Sequence, residues 1–374
     1  MLKNTLRPLK NWGTATTWRI GHRFRLVRPI KAPVSFVVEK ADWSIRWDGE
    51  HIRDVANEIT GNTTVEVTDS AYRVTEQVVH FGSQYMWLHW GRFLSKRNRF
   101  VVSFFHGKPE DGPQVEQHIE SFLKSVPSLT TVITAASMME QRLLKWGVPR
   151  EKLVRIPIGV NTRSFRLPTP LERAKSRDRF GFTPDQVVIG SFQKDGVGWG
   201  YGMEPKLIKG PDIFIAAVER IARVLPVSVL LTGPARGYVK NELNRRGIPF
   251  VHIYIKEQAS LADCYHALDL YLVTSREEGG PKGIMESMAS GVPIVSTCVG
   301  MAPDLIVDGV TGGLAESEDV EGIVERALRI LSLPEGESAN LKVQAAEAVK
   351  VCDWSVVGRR HLKEVYEPLL DHAS

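Results

Sequence analysis

Apolar runs of a few residues recur along the chain, and stretches with a helical repeat separate them. The runs predict strands at Val34–Val38, Thr64–Val67, Val78–Phe81, Phe100–Phe105, Thr131–Thr134 and Leu153–Pro157, with helices around 50–60, 113–124 and 136–146. The alternation resumes at Val187, with strands at Val227–Thr232, Val251–Ile255, Leu270–Val273 and Ile294–Thr297. Helices are expected around 211–221, with Ile213, Ala216, Ala217 and Ile221 on one face, and at 260–267, 283–290, 319–332, 338–350 and 353–370. Unbroken apolar strands are buried on both faces, so each series predicts a parallel sheet wound with helices on both sides. The expected fold class is therefore α/β, with two Rossmann-like doubly wound domains. The polar segment 162–185, rich in Arg, Pro and Thr, reads as the linker. That places the first domain at 33–167 and the second at 168–352, behind a basic arm at 1–32.

The stretch 269–300 carries the clearest chemistry. Gly279, Gly280 and Pro281 break the chain after the strand Leu270–Val273, and Pro281 suits the first position of a helix at Gly283–Ser290. A glycine loop feeding a helix aims free backbone N–H groups at one spot, and the dipole there favours an anion by about 0.3–1 kcal/mol. Glu278 and Glu286 frame that spot. A carboxylate repels phosphate but accepts two hydrogen bonds from a pair of hydroxyls. Phosphate flanked by sugar hydroxyls describes a nucleotide-sugar; the plainer alternative is a helix start with a solvated glutamate on each side.

The spacing Glu-x7-Glu within Glu278-Gly-Gly-Pro-Lys-Gly-Ile-Met-Glu286 resembles the family 4 retaining glycosyltransferases of the GT-B fold. The resemblance extends to Leu261–Ser275, to Gly300-Met-Ala-Pro-Asp304 (Asp304 where the family usually has glutamate) and to Asp308-Gly-Val-Thr-Gly-Gly313. It implies two domains facing a cleft, with the C-terminal helix 353–374 returning to complete the first. It also implies transfer of a sugar, with retention, from a nucleoside-diphosphate sugar to a hydroxyl acceptor. Glu278 would then position the sugar and Glu286 the ribose hydroxyls, with Gly279, Gly280, Pro281, Lys282, Gly283 and Ile284 around the diphosphate and Ile255 near the base.

Other positions are read with this resemblance in view. His106 ends the apolar strand Val101–Phe105, where a ring can donate to a ligand oxygen or simply be structural; it matches the family's active-site histidine. Lys209, in Lys209-Gly-Pro-Asp212, matches a cation on the pyrophosphate, and Lys194 offers a second, beside Gln193 where the family carries arginine. Between them lies an insertion, 195–205, rich in glycine and aromatic residues, a flap or a long hairpin. Trp47, Asp48 and Gly49 open the first helix on the expected acceptor side, where family members often carry a glycine pair.

Composition narrows the reading further. The chain has 374 residues, 43% hydrophobic and 24% charged, enough for two domains, and its net charge of +5 does not call for nucleic acid. Cys264, Cys298 and Cys352 form neither a metal box nor a disulfide framework. No metal or other cofactor is expected, since Asp-x-Asp is missing and lysines and amides would meet the diphosphate charge. No apolar run is long enough to span a bilayer, and the N-terminus lacks a secretory core, so a cytoplasmic location is expected. Residues 1–31 nevertheless concentrate basic residues with Leu, Trp and Val, which suits an anionic membrane surface or a packed extension. Two alternatives to transfer stay open: a GT-B sugar-nucleotide epimerase, and a nucleotide-sugar-binding protein without turnover.

Overall fold

The computed structural model describes residues 2–24, 30–40, 44–255 and 259–371. Arg25 and Arg28 of the basic arm, Trp43 and the end of the C-terminal helix at 372–374 lie outside the described residues. The chain forms two compact units, one of residues 1–159 and 354–374 and one of residues 160–353.

The first unit is built on six strands: β1 (Val34–Val37), β2 (Val65–Thr68), β3 (Val78–Phe81), β4 (Arg99–Ser103), β5 (Thr131–Thr134) and β6 (Leu153–Arg155). They pair in the order β2-β1-β3-β4-β5-β6, all parallel. Val34, Phe36, Val78, Val101 and Ile133 supply its apolar core, and the C-terminal segment adds Trp354, Val357, Leu362, Val365 and Tyr366. A buried polar contact fixes that segment: His80 on β3 bonds the Tyr366 hydroxyl at 2.7 Å and the Ser103 hydroxyl at 2.9 Å.

Helices α1 (Leu2–Arg23), α2 (Ser44–Thr60), α3 (Gln84–Trp90), α4 (Pro113–Ser125) and α5 (Ser137–Lys145) belong to this unit. Three features add to or correct the sequence expectation. The basic arm is a helix, α1, which buries Asn11, Ala15 and Trp18 on one face, a spacing of four and three residues that makes a single stripe. The first predicted helix starts at Ser44, so Trp47, Asp48 and Gly49 lie within its first two turns instead of opening it. Helix α3 was not expected; Ser83 caps it by accepting from the Tyr85 N–H.

The second unit carries β7 (Val187–Ser191), β8 (Val227–Thr232), β9 (Phe250–Ile253), β10 (Leu270–Val273), β11 (Ile294–Thr297) and β12 (Gly313–Ala315), in the parallel order β12-β11-β10-β7-β8-β9. Its helices include α6 (Pro170–Arg179), α7 (Pro211–Ala222), α8 (Gly237–Arg245), α9 (Ala259–His266) and α10 (Lys282–Ala289). On α7 the buried face is wider than predicted, taking in Phe214, Ile215 and Val218, while Ala216 is only half-buried.

The segment 162–185 is not a linker, and the division falls at 159/160 instead of 167/168. Thr169 and Glu172 form a reciprocal cap that starts α6. Arg173 and Arg177 on that helix both pair with Asp269, at 2.5 and 2.9 Å, just before β10. Arg177 is buried and also donates to the Thr183 and Gln186 carbonyls. A run of arginines that looks solvated in sequence is therefore an ion-paired seam of the second unit.

Candidate functional site

In the second unit, strand order reverses between β7 and β10, so their carboxyl ends diverge and leave a crevice. The chain leaving β7 supplies Phe192, Gln193 and Lys194; the chain leaving β10 supplies Ser275 to Pro281. Gln193 spans the two, accepting from the Ser275 hydroxyl at 3.3 Å and donating to the Lys209 carbonyl at 2.9 Å. The residue that replaces the expected arginine thus ties the crevice together.

Lys209 and Glu278, expected to act on different parts of a ligand, are paired with each other at 2.5 Å. Glu278 also accepts from the Ser275 hydroxyl at 3.0 Å. Both side chains are largely shielded, with 23% of Lys209 and 11% of Glu278 exposed, so their attraction is little screened. Gly210 sets this loop: it adopts a φ of +61°, and a Cβ there would lie 1.7 Å from the Thr274 carbonyl oxygen.

Helix α10 begins at Lys282, with Pro281 at the cap position and not, as expected, inside the helix. Gly279 is buried, and Gly280, Lys282 and Gly283 are half-buried. A side chain at Gly283 would meet the Tyr271 hydroxyl oxygen at 2.5 Å, so the helix start sits directly on that ring. Ile284 is fully buried beneath the turn. One turn on, Glu286 is buried and accepts from the Tyr265 hydroxyl at 2.8 Å. Burial raises the Glu286 pKa, while Tyr265 and the Lys282 ammonium pull it back. Tyr265, Tyr271 and Phe192 form an aromatic cluster with ring centroids 4.8 to 5.4 Å apart.

Several site residues carried no sequence signal. Lys206 is one: crowding that withdraws water, then the like charges of Lys209 and Lys194, lower its pKa, and Glu278 opposes them. Lys194 rests over the Trp199 ring, 4.1 Å from its centroid. The insertion is a hairpin, bridged at Gly196–Pro205, with Trp199 and Tyr201 exposed. Under its base Asp195 and Arg236 form a buried ion pair of 3.0 Å. Arg236 also donates to the Ser191, Gln193 and Thr232 carbonyls, holding the ends of β7 and β8. Ile255 follows β9 and is half-buried.

The other candidates lie in the first unit. His106 is exposed, three residues beyond β4. Asp48 borders a small pocket with Phe36, Ile45, Gly82 and Trp354, and Trp47 is half-buried. Gly49 packs against Phe36, where an added Cβ would stand 2.6 Å from the ring.

Residues 201–333 match the family described as Glycosyl transferases group 1. The lipopolysaccharide core biosynthesis mannosyltransferase of Rhizobium meliloti is 26% identical over 179 residues, 45% of this chain and 48% of that protein. A GDP-mannose-dependent phosphatidylinositol monomannoside mannosyltransferase of Mycolicibacterium smegmatis is 27% identical, covering 70% of this chain and 69% of its own. The chain spans from 40% to 59% of the length of the first three curated relatives it matches. Among solved structures, HepE of Anabaena in complex with UDP and glucose superposes with a TM-score of 0.72 at 17% identity, covering 90% of this chain and all of that one. Two six-stranded parallel sheets and these structural neighbours agree on a GT-B fold, and within it residues 201–333 of the second unit are similar to the glycosyl transferases group 1.

Proposed function

We propose that the chain is a family 4, retaining glycosyltransferase that moves a sugar from a nucleoside-diphosphate sugar to a hydroxyl acceptor. The observation that carries this reading is the shielded group of Lys209, Glu278 and Ser275 beside the start of α10, with Glu286 one turn inside the helix. In this reading the diphosphate takes the amide N–H groups of Gly280, Lys282 and Gly283 and the ammoniums of Lys209, Lys194 and Lys206. Lys209 is then shared between phosphate and Glu278, which frees a carboxylate oxygen for the sugar hydroxyls. Each charge-assisted hydrogen bond to the leaving diphosphate contributes about 1.5–3 kcal/mol, roughly 10- to 150-fold in rate if realised in the transition state. The lysines and amides meet that charge without a metal ion. Glu286 receives the ribose hydroxyls, and Ile255 borders the base. For His106 the role at the reacting carbon rests on the resemblance and on its exposed place after a parallel strand. Trp47, Asp48 and Gly49 are assigned to the acceptor side on the resemblance alone.

The test is a panel of UDP-, GDP- and ADP-sugars incubated with purified protein, reading free nucleoside diphosphate and transferred sugar. Release with transfer to a hydroxyl acceptor supports the reading. Tight binding without release makes the chain a binder, and interconversion of the sugar makes it an epimerase. His106→Ala is expected to abolish turnover and spare nucleotide binding; unaltered turnover removes the histidine from the mechanism.

The acceptor side is proposed to work at an anionic membrane surface, from a cytoplasmic location. Among the described residues no helix is long and apolar enough to cross a membrane. The outer face of α1 carries Trp12 and Ile20, and Phe24 follows its last residue, all more than half exposed, beside Arg19 and Arg23. Aromatic and basic residues on one face are what an interfacial helix uses. Flotation with phosphatidylglycerol vesicles is expected to recover the protein and to fail for Trp12→Ala/Phe24→Ala; equal recovery of both removes the idea.

A further inference from the structure

A pocket of about 640 Å³ opens between α3 and α4 in the first unit, well within the size of a ligand site. Its floor is apolar: Trp87, Leu94 and Phe100 are each less than 10% exposed. The Trp87 indole N–H donates to the Ser125 hydroxyl at 2.7 Å, which locks the floor to α4.

The α4 wall has an unusual chemistry. Gln114, Gln117, Ser121, Ser125 and Ser128 line the pocket at spacings of three and four residues, one stripe running along α4 and just past its end. Beyond the leading Pro113, the other exposed positions of the helix, Glu116, Glu120 and Lys124, are charged. The stripe facing the pocket therefore carries no net charge: the Gln114 and Gln117 amides face it, and Ser121 and Ser125, which donate back to the Gln117 and Phe122 carbonyls, present hydroxyl oxygens. His118 lies on the same wall, stacked on Tyr85 with centroids 4.0 Å apart, and its Nε2 is buried without a hydrogen-bond partner among the described residues. The opposite wall carries Arg92 and Lys96, both exposed and with no carboxylate in ion-pair reach among the described residues.

We propose that this groove binds an anionic saccharide. Hydroxyls meet the amide and hydroxyl stripe, the apolar ring faces lie on the Trp87–Leu94–Phe100 floor, and the acid group meets Arg92 and Lys96. An uncharged polar stripe facing two unpaired cations fits a polyol carrying one acid group better than a nucleic acid, which would need cations on both walls. The groove lies on the flank of the sheet, between helices, and it does not depend on the sugar-donor residues of the second unit.

The test is calorimetric titration of the full chain, without nucleotide, using trigalacturonate, neutral maltotriose and inorganic phosphate. Trigalacturonate is expected to bind at least about tenfold tighter than maltotriose, the equivalent of roughly 1.4 kcal/mol. Arg92→Ala/Lys96→Ala should abolish that preference, and Gln114→Ala/Gln117→Ala should weaken both saccharides; both substitutions are on exposed side chains and should leave the melting temperature unchanged. Three results would overturn the proposal: no saturable binding of trigalacturonate, phosphate binding as tightly as the trisaccharide, or both variants binding like the unaltered protein. Because no sugar nucleotide is present, failure here leaves the transferase reading standing, and inactivity in transfer leaves this one standing.

Discussion

The two sheets share a strand count and a direction, yet the points where their winding reverses are built from opposite chemistry. In the second unit the reversal between β7 and β10 gathers Lys194, Lys206, Lys209 and Glu278 around the start of α10. In the first it falls between β1 and β3, and there the lining is Phe36, Ile45, Gly82 and Trp354, with Asp48 as the single carboxylate. Even the buried polar groups differ. The second unit buries a full ion pair, Asp195–Arg236; the first buries neutral partners, His80, Ser103 and Tyr366. One topology thus presents a charged socket in one unit and a nearly neutral one in the other, which suits a diphosphate on one side only.

The comparison breaks most visibly at the buried ion pair. Arg236→Met leaves Asp195 charged and unpaired, and removing one partner of such a pair costs about 3–5 kcal/mol. Thermal unfolding followed by far-UV circular dichroism should show that loss, and Asp195→Leu/Arg236→Met should recover much of it. A loss below about 1 kcal/mol would mean the pair behaves as a solvated one.

In the first unit the corresponding lever is pH. Burial holds the His361 pKa down at about 4, from an ordinary 6.5, and burial followed by the His361 charge holds His80 low as well. Lowered histidines bind fewer protons folded than unfolded. Their contribution is therefore complete above pH 6.5 and is lost as pH falls from there towards 4, on the order of 3 kcal/mol for His361 alone. Eight of the nine tryptophans belong to this unit, so tryptophan fluorescence during denaturant titration at several pH values reads it. A flat profile between pH 6.5 and 4 would contradict the neutral-core picture.

At the socket itself, Glu278→Gln removes the partner of Lys209 and the sugar contact, and turnover with a sugar donor should fall by roughly 30- to 150-fold, about 2–3 kcal/mol. Asp48→Asn, at the matching place in the first sheet, should leave affinity for the sugar nucleotide unchanged. Equal losses from both substitutions would erase the distinction between the two reversal points.

Much of this was legible along the chain, and what was not has physical reasons. Strands buried on both faces leave continuous apolar runs, so β3, β5 and β10 can be read to the residue. The Glu278–Glu286 spacing is local, so its loop and helix are legible as well. Long-range pairs leave no such trace. The Lys209–Glu278 bond joins residues 69 apart, and Arg236 reaches β7 from the next crossover. Arg173 and Arg177 look like linker residues because nothing near them in sequence reveals Asp269. The helix α1 stayed unread because its buried stripe, among the described side chains, is Asn11, Ala15 and Trp18 amid basic residues.

The smallest effect tests whether Glu286 works as a carboxylate. Tyr265 donates to it at 2.8 Å, and burial already raises its pKa. Tyr265→Phe removes a hydrogen bond that favours the charged form, so the Glu286 pKa must rise further. If the ionised form holds the ribose hydroxyls, affinity for the sugar nucleotide is full above that pKa and is lost as pH falls through it. The variant should therefore lose its affinity at a higher pH than the unaltered protein, with a loss of about 1–2 kcal/mol on the falling limb. At high pH the two should converge, because both carboxylates are then ionised. A uniform loss at every pH would instead assign Tyr265 to packing against Phe192 and Tyr271, and the carboxylate role of Glu286 would go with it.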